Sequence, residues 1–160
     1  MKPRLYMETT IPSLLTARPS KLIKARAQQE TALEWWEKAA HRYQIFSSAL
    51  VLEEISRGEP AKAAERAAIV TTFPSLDVNY EVTELAEAIF RLSVIPEGSR
   101  ADATHLALTA VHRMDFLLTN NMKHICNPVL KDRFAAVCKI SGHPFPIIIN
   151  PESILALPQP

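Results

Sequence analysis

Glu97-Gly98-Ser99-Arg100-Ala101-Asp102-Ala103-Thr104-His105-Leu106-Ala107-Leu108-Thr109-Ala110 is the stretch whose reading decides the fold. Ala103, Leu106, Ala107, Ala110 and Val111 recur at i, i+3, i+4, i+7 and i+8, which predicts a helix with one apolar stripe. Small residues dominate that stripe, so the helix is expected to lie close against a sheet. Asp102 falls in the first turn, where the helix dipole stabilises an anion. Taken alone, Ser99 and Asp102 also have the S-x-x-[DE] spacing of a capping box. Two roles for Asp102, cap and chemistry, are therefore open.

Outward from this helix, short apolar runs alternate with helical patterns. Leu5-Tyr6-Met7 reads as a buried strand, followed by Glu8 and by a short helix with Pro12 at its first position. A long helix is expected from Lys21 to about His41, with Leu22, Gln29, Leu33, Trp36, Ala40 and Tyr43 on one face. Trp36 is then core, and Trp35 is either an interface residue or a half-buried core edge. Gln44 to Ser47 is a second strand, and Ser47 or Ser48 caps a helix from Ala49 to Arg57 that ends at Gly58. Pro60 opens a helix to about Thr72. Leu76-Asp77-Val78 is a third strand, and Thr83 caps a helix to about Val94. Beyond the central helix come a fourth strand, Phe116 to Thr119, and a helix opened by Asn127-Pro128 with Gly142 at its C-cap. Ile147 to Ile149 is a fifth strand, and Asn150-Pro151 opens a last short helix. Fully apolar strands alternating with helices predict an α/β fold, a parallel sheet covered on both faces. The 160 residues suit a single domain, 1–160.

Composition excludes several classes. The longest apolar runs, Ala49 to Leu52 and Ile147 to Ile149, are too short to span a membrane. No signal-peptide core precedes the first strand, and the two cysteines, Cys126 and Cys138, form no CxxC; both observations suit a reducing cytoplasm. Only three glycines occur, Gly58, Gly98 and Gly142, so no GxGxxG or Walker loop can form. The five histidines show no HExxH or zinc-finger spacing. His105 and His112, seven apart, suit a surface or hydrogen-bonded role better than a metal pair. No GxSxG is present, and a phosphatase reading lacks Asp-x-Asp at the first strand. Net charge is +1, but residues 1–29 hold Lys2, Arg4, Arg18, Lys21, Lys24 and Arg26 against Glu8 alone. That distribution suits either a local polyanion site or an ordinary solvated face.

Ligands of an open parallel sheet bind beyond the carboxyl ends of its strands. Glu8 stands there after the first strand, Glu53 and Glu54 on the helix after the second, Asp102 on the helix before the fourth, and Asn120 and Asn121 after the fourth. Clustered carboxylates repel one another, and the natural counter-ion is a hard divalent cation, Mg²⁺ or Mn²⁺.

Four segments resemble the motifs of PIN domains, in order: Tyr6-Met7-Glu8-Thr9-Thr10, Leu52-Glu53-Glu54-Ile55 with Gly58, Ala101-Asp102-Ala103-Thr104-His105-Leu106-Ala107, and Leu118-Thr119-Asn120-Asn121. The resemblance spans about residues 4 to 150, and the nearest branch is the VapC-type toxins. It implies a five-stranded sheet in the order 3-2-1-4-5. It also implies a Mg²⁺- or Mn²⁺-dependent endoribonuclease, the toxin of a toxin–antitoxin pair, acting on RNA as a symmetric homodimer held in check by a small antitoxin. The second acid maps to Glu54, with Glu53 its solvated neighbour. Glu8, Glu54 and Asp102 are the implied metal ligands. Asn121 completes the site as a neutral ligand or water-positioner, and Thr10 or Thr119 as a hydrogen-bond donor or a plain turn residue. Arg18, Lys21, Lys24 and Arg26 are candidates for flanking phosphates. Two departures, Glu8 where Asp is usual and Asn121 where an acid is common, keep open a catalytically weak module that binds RNA or a protein.

Overall fold

The computed structural model describes residues 1–92 and 99–158. The elements run β1 (Arg4–Met7), α1 (Thr10–Thr16), α2 (Ile23–Lys38), a single 3-10 turn (Ala40–Arg42), β2 (Gln44–Ser48), α3 (Ala49–Ile55) and α4 (Pro60–Val70). They continue with β3 (Ser75–Leu76), α5 (Tyr80–Leu92), α6 (Arg100–Val111), β4 (Phe116–Leu118), α7 (Pro128–Ile140), β5 (Ile147–Ile149) and α8 (Pro151–Leu155). The strands form one five-stranded sheet, β3-β2-β1-β4-β5, with every pair parallel. Leu5 is in register with Ile45 on one side and Phe116 on the other, so β1 is the axis of the sheet. Leu5, Tyr6, Met7, Leu117 and Leu118 are fully buried, as strands covered on both faces must be. Strand order reverses across β1, which opens a crevice at the carboxyl ends of β1 and β4.

Local signals hold at several helix starts. Ser48, Asn127 and Asn150 each accept a backbone N–H at the starts of α3, α7 and α8. Gly58 and Gly142 follow helices with φ of +90° and +79°, where a side chain would be strained. Three expectations shift, and one falls outside the described residues. The helix with Pro12 starts two residues earlier, at Thr10; Pro12 still sits in the first turn, where its missing N–H costs no bond. α5 is capped by Asn79, whose Oδ1 accepts Val82 N at 3.0 Å, so Thr83 lies inside the helix with its hydroxyl on the Asn79 carbonyl. The expected end of that helix at Val94, and Glu97 and Gly98 of the opening stretch, lie outside the described residues. Ser99 stands at the N-cap of α6 but makes no capping bond, so the capping box does not form.

The larger corrections concern faces. In α2 the buried line is Ala32 and Trp35, continued by Ala39; Trp35 is fully buried, Trp36 is half-buried, and Leu22 and Leu33 are exposed. The helix packs against α1 and α8, and those neighbours select its inner face. Trp36 instead meets the edge of Phe73 at 6.0 Å. α6 has no single stripe: Ala103, Leu106, Ala107 and Ala110 are buried as expected, and so are His105, Leu108 and Thr109. It runs through the interior, packed against α5 and β4. Among the described residues no helix is long and apolar enough to cross a membrane.

Candidate functional site

The crevice beside β1 is an open cleft of about 480 Å³ lined by Glu8, Thr9, Thr10, Ser13, Leu14, Glu54, Asp102, Asn120 and Asn121. All four candidate side chains, Glu8, Glu54, Asp102 and Asn121, therefore share one cleft, although they come from four different segments. Glu53 points away and pairs with Arg57 on the surface.

Each carboxylate is held by its own donors. Glu8 is 4% exposed, and its backbone N–H extends the β1–β4 pairing by bonding Leu118 O at 3.1 Å. Its Oε2 accepts from Thr10 N at 3.1 Å, Thr10 Oγ1 at 2.5 Å and Thr119 Oγ1 at 2.8 Å. Both threonines thus act on the acid. Glu54 Oε1 accepts from Thr9 Oγ1 at 2.8 Å and meets His105 Nε2 at 2.5 Å. Burial pushes the Glu54 carboxyl up, but the hydrogen bonds from His105 and Thr9 and the charges of His105 and Arg57 outweigh it and hold it below the ordinary range. Burial alone lowers the His105 pKa; the Glu54 bond and the charges of Glu8, Glu54 and Asp102 reverse this and raise it. Asp102 uses both oxygens: Oδ1 accepts from Asn121 Nδ2 at 3.1 Å, and Oδ2 meets His124 Nδ1 at 2.9 Å. Asn121 also accepts His124 N on its Oδ1 at 3.1 Å. Here Asn121 is a clamp on Asp102, with both ends of its amide occupied.

The acids do not converge on a point. Among the described residues no three His, Cys, Asp or Glu side chains stand close enough to hold one ion. The physical reason is the separate compensation just described, which draws each carboxylate towards its own wall. The donor chemistry nevertheless suits a hard cation. Among the described residues Glu8 Oε1 and Glu54 Oε2 have no hydrogen-bond partner, and Asp102 exchanges only neutral-amide and imidazole contacts if it turns inward.

Of the four basic candidates, Lys24 lines a second cavity of about 460 Å³ with Gln28, Thr31, Met122 and Asn150. Asn120 lines both cavities, so they adjoin. Arg18 and Arg26 pair with Glu59 and Glu30 at the surface, at 3.2 and 3.0 Å, and Lys21 is exposed just before α2. Such surface pairs are weak. Cys126 and Cys138 are free, and burial pushes both thiols up, Cys138 to about 11, which leaves them poor nucleophiles.

Sequence reasoning placed the acids and offered Thr10 and Thr119 as donors, both of which hold Glu8, but it did not assign His105 to Glu54 or His124 to Asp102. His105 is three residues after Asp102 on one helix, a spacing that puts both on neighbouring positions of one face, and this signal was readable. Nothing local pointed to His124. Neither a protein-family model nor a characterised protein matches this sequence.

Proposed function

We propose that this chain is a Mg²⁺- or Mn²⁺-dependent endoribonuclease of the PIN type, the toxin of a type II toxin–antitoxin pair. The observation that carries this reading is the gathering of Glu8, Glu54 and Asp102 in one cleft at the strand-order reversal beside β1. Glu8 and Glu54 would hold the cation through their uncommitted oxygens, with Asp102 joining them. A bound cation would supply charge neutralisation at the scissile phosphate and a more acidic water. Thr10 and Thr119 donate to Glu8 Oε2 and fix its orientation. Asn121 and His124 orient Asp102. Lys24, with the amides of Gln28 and Asn120 beside it, offers the adjoining cavity to the next part of an RNA strand, and Arg18, Lys21 and Arg26 extend the basic rim. A homodimer belongs to the same proposal. Trp35 contributes nothing to its surface, being buried, whereas Ile147 and Ile140 are 58% and 84% exposed. A small antitoxin would insert a basic side chain among the three acids.

The second reading, a module that binds RNA or a protein without cutting, is favoured by Asp102, whose two oxygens are both engaged within the chain. Incubation of mixed RNA with Mn²⁺ or with EDTA separates the two. The nuclease is expected to leave 5′-phosphate ends with Mn²⁺ only, and Asp102→Asn to lose at least about 100-fold, the upper end for a group that merely supports a ligand. RNA that is bound and stays intact with Mn²⁺ selects the second reading.

A further inference from the structure

Beneath the Glu54 wall lies a hydrogen-bonded series that the proposed chemistry leaves unused. Val51 N donates to Ser48 Oγ at 3.3 Å, Ser48 Oγ lies 2.8 Å from Tyr6 Oη, and Tyr6 Oη lies 2.8 Å from His105 Nδ1. His105 Nε2 then meets Glu54 Oε1 at 2.5 Å. Tyr6, Ser48 and His105 are each 0% exposed, so bulk solvent does not reach them. The series starts on α3, passes through the ends of β2 and β1 and through α6, and returns to α3 three residues further on.

Donor chemistry sets its direction. An ionised Glu54 only accepts, so the imidazole carries its proton on Nε2. In the neutral ring Nδ1 is then a bare acceptor, and the Tyr6 hydroxyl is the group that faces it. Tyr6 gives its proton to Nδ1, so its oxygen accepts from the Ser48 hydroxyl, whose oxygen accepts from Val51 N–H. Each donor has one acceptor, and any reversed arrangement leaves a buried group unpaired. Deprotonation of Tyr6 does not interfere, because burial raises its pKa far above the ordinary phenol value.

We propose that Ser48, Tyr6 and His105 are positioning residues for Glu54: they hold the imidazole as the Nε2–H tautomer, anchor Oε1, and so present Oε2 to the cleft as a cation ligand. The presentation of a ligand rests on the nuclease reading; the tautomer does not.

The test uses the whole chain, Mn²⁺ alone as probe, and ¹⁵N NMR of the histidine rings at a pH above the His105 titration. Wild type is expected to show His105 protonated on Nε2; a ring protonated on Nδ1 overturns the proposal. Tyr6→Phe keeps the ring volume and deletes the link. It is expected to shift the Nδ1 resonance and to weaken Mn²⁺ binding by about tenfold or more; unchanged shifts and unchanged affinity overturn it. His105→Gln, whose carboxamide still donates, is expected to bind Mn²⁺ more tightly than His105→Leu, and equal affinities overturn the positioning role. If wild type binds no Mn²⁺ the nuclease reading falls, and the ring spectra of wild type and Tyr6→Phe still decide the hydrogen-bonded series.

Discussion

Two histidine–carboxylate pairs flank the cleft, and they are built in opposite ways. In the His105–Glu54 pair the carboxylate is 21% exposed but the imidazole only 1%, and its other nitrogen is held by a buried tyrosine from β1. In the His124–Asp102 pair the two side chains are 16% and 15% exposed, and the supporting groups, Asn121 and Ser99, lie on connecting segments at the rim. The first pair ties three secondary elements together; the second ties a helix start to a loop. Identical functional groups thus make a rigid wall on one side and an exchangeable one on the other, because burial removes water as the competing partner.

The comparison breaks most sharply on the histidines. His105→Leu leaves a buried Tyr6 hydroxyl and a partly buried Glu54 without their partner, and is expected to cost about 3–5 kcal/mol of stability. His124→Leu exposes its partners to water and is expected to cost at most about 1.5 kcal/mol. Urea denaturation of both variants decides it, and equal losses would erase the distinction between the walls.

The serines repeat the contrast at smaller scale. Both stand at helix N-caps, but only Ser48 makes the capping bond, and it also serves Tyr6. Ser48→Ala is expected to cost about 1–2 kcal/mol, and Ser99→Ala to stay within about 0.5 kcal/mol of wild type. A large loss at Ser99 would show the rim to be as rigid as the core wall.

Stability against pH sharpens the buried pair. The Glu54 carboxyl titrates lower when folded than when unfolded, so its contribution is full above the ordinary carboxylate range and is lost as pH falls through the depressed folded value. His105 titrates higher when folded, so its contribution is full below the ordinary imidazole value and is lost as pH rises through the raised one. Wild type should be most stable between these limits, and Glu54→Gln should flatten both slopes. Denaturation midpoints across the acid and alkaline limbs measure this, and a Glu54→Gln profile identical to wild type would assign the slopes to other groups.

Asn121 offers a small effect on the fold and an opposite one on the site. Asn121→Asp removes the donor to Asp102 and sets two carboxylates side by side, for an expected loss of about 1 kcal/mol without cation. With Mn²⁺ the extra charge should tighten binding and restore the stability. Unchanged Mn²⁺ affinity would make Asn121 only a clamp.

Much of this was legible along the chain. Strand–helix alternation marked the parallel sheet, Ser48, Asn127 and Asn150 marked helix starts, and position along the chain put Glu8 at the end of β1 and Asp102 at the start of α6, while the choice of Glu54 over Glu53 on α3 came from the motif resemblance. These features depend on neighbours within one turn or one strand, where covalent geometry and backbone hydrogen bonding set the periods. The inner face of α2 was not legible: Trp35 and Trp36 are adjacent and equally apolar, and only the positions of α1 and α8 choose between them. Nor was the pairing of donors with acids: Thr10 and Thr119 were open candidates for a hydrogen bond, with no acid assigned to either. Thr119 reaches Glu8 across 111 residues and His105 reaches Glu54 across 51, so chain topology rather than local sequence pairs them. The sequence by itself determined which residues carry charge and at which end of the sheet they emerge. Only the tertiary structure decided which donor each carboxylate receives, because a hydrogen bond needs atoms within about 3 Å, and residues so far apart in the chain come that close only when the sheet and helices have packed.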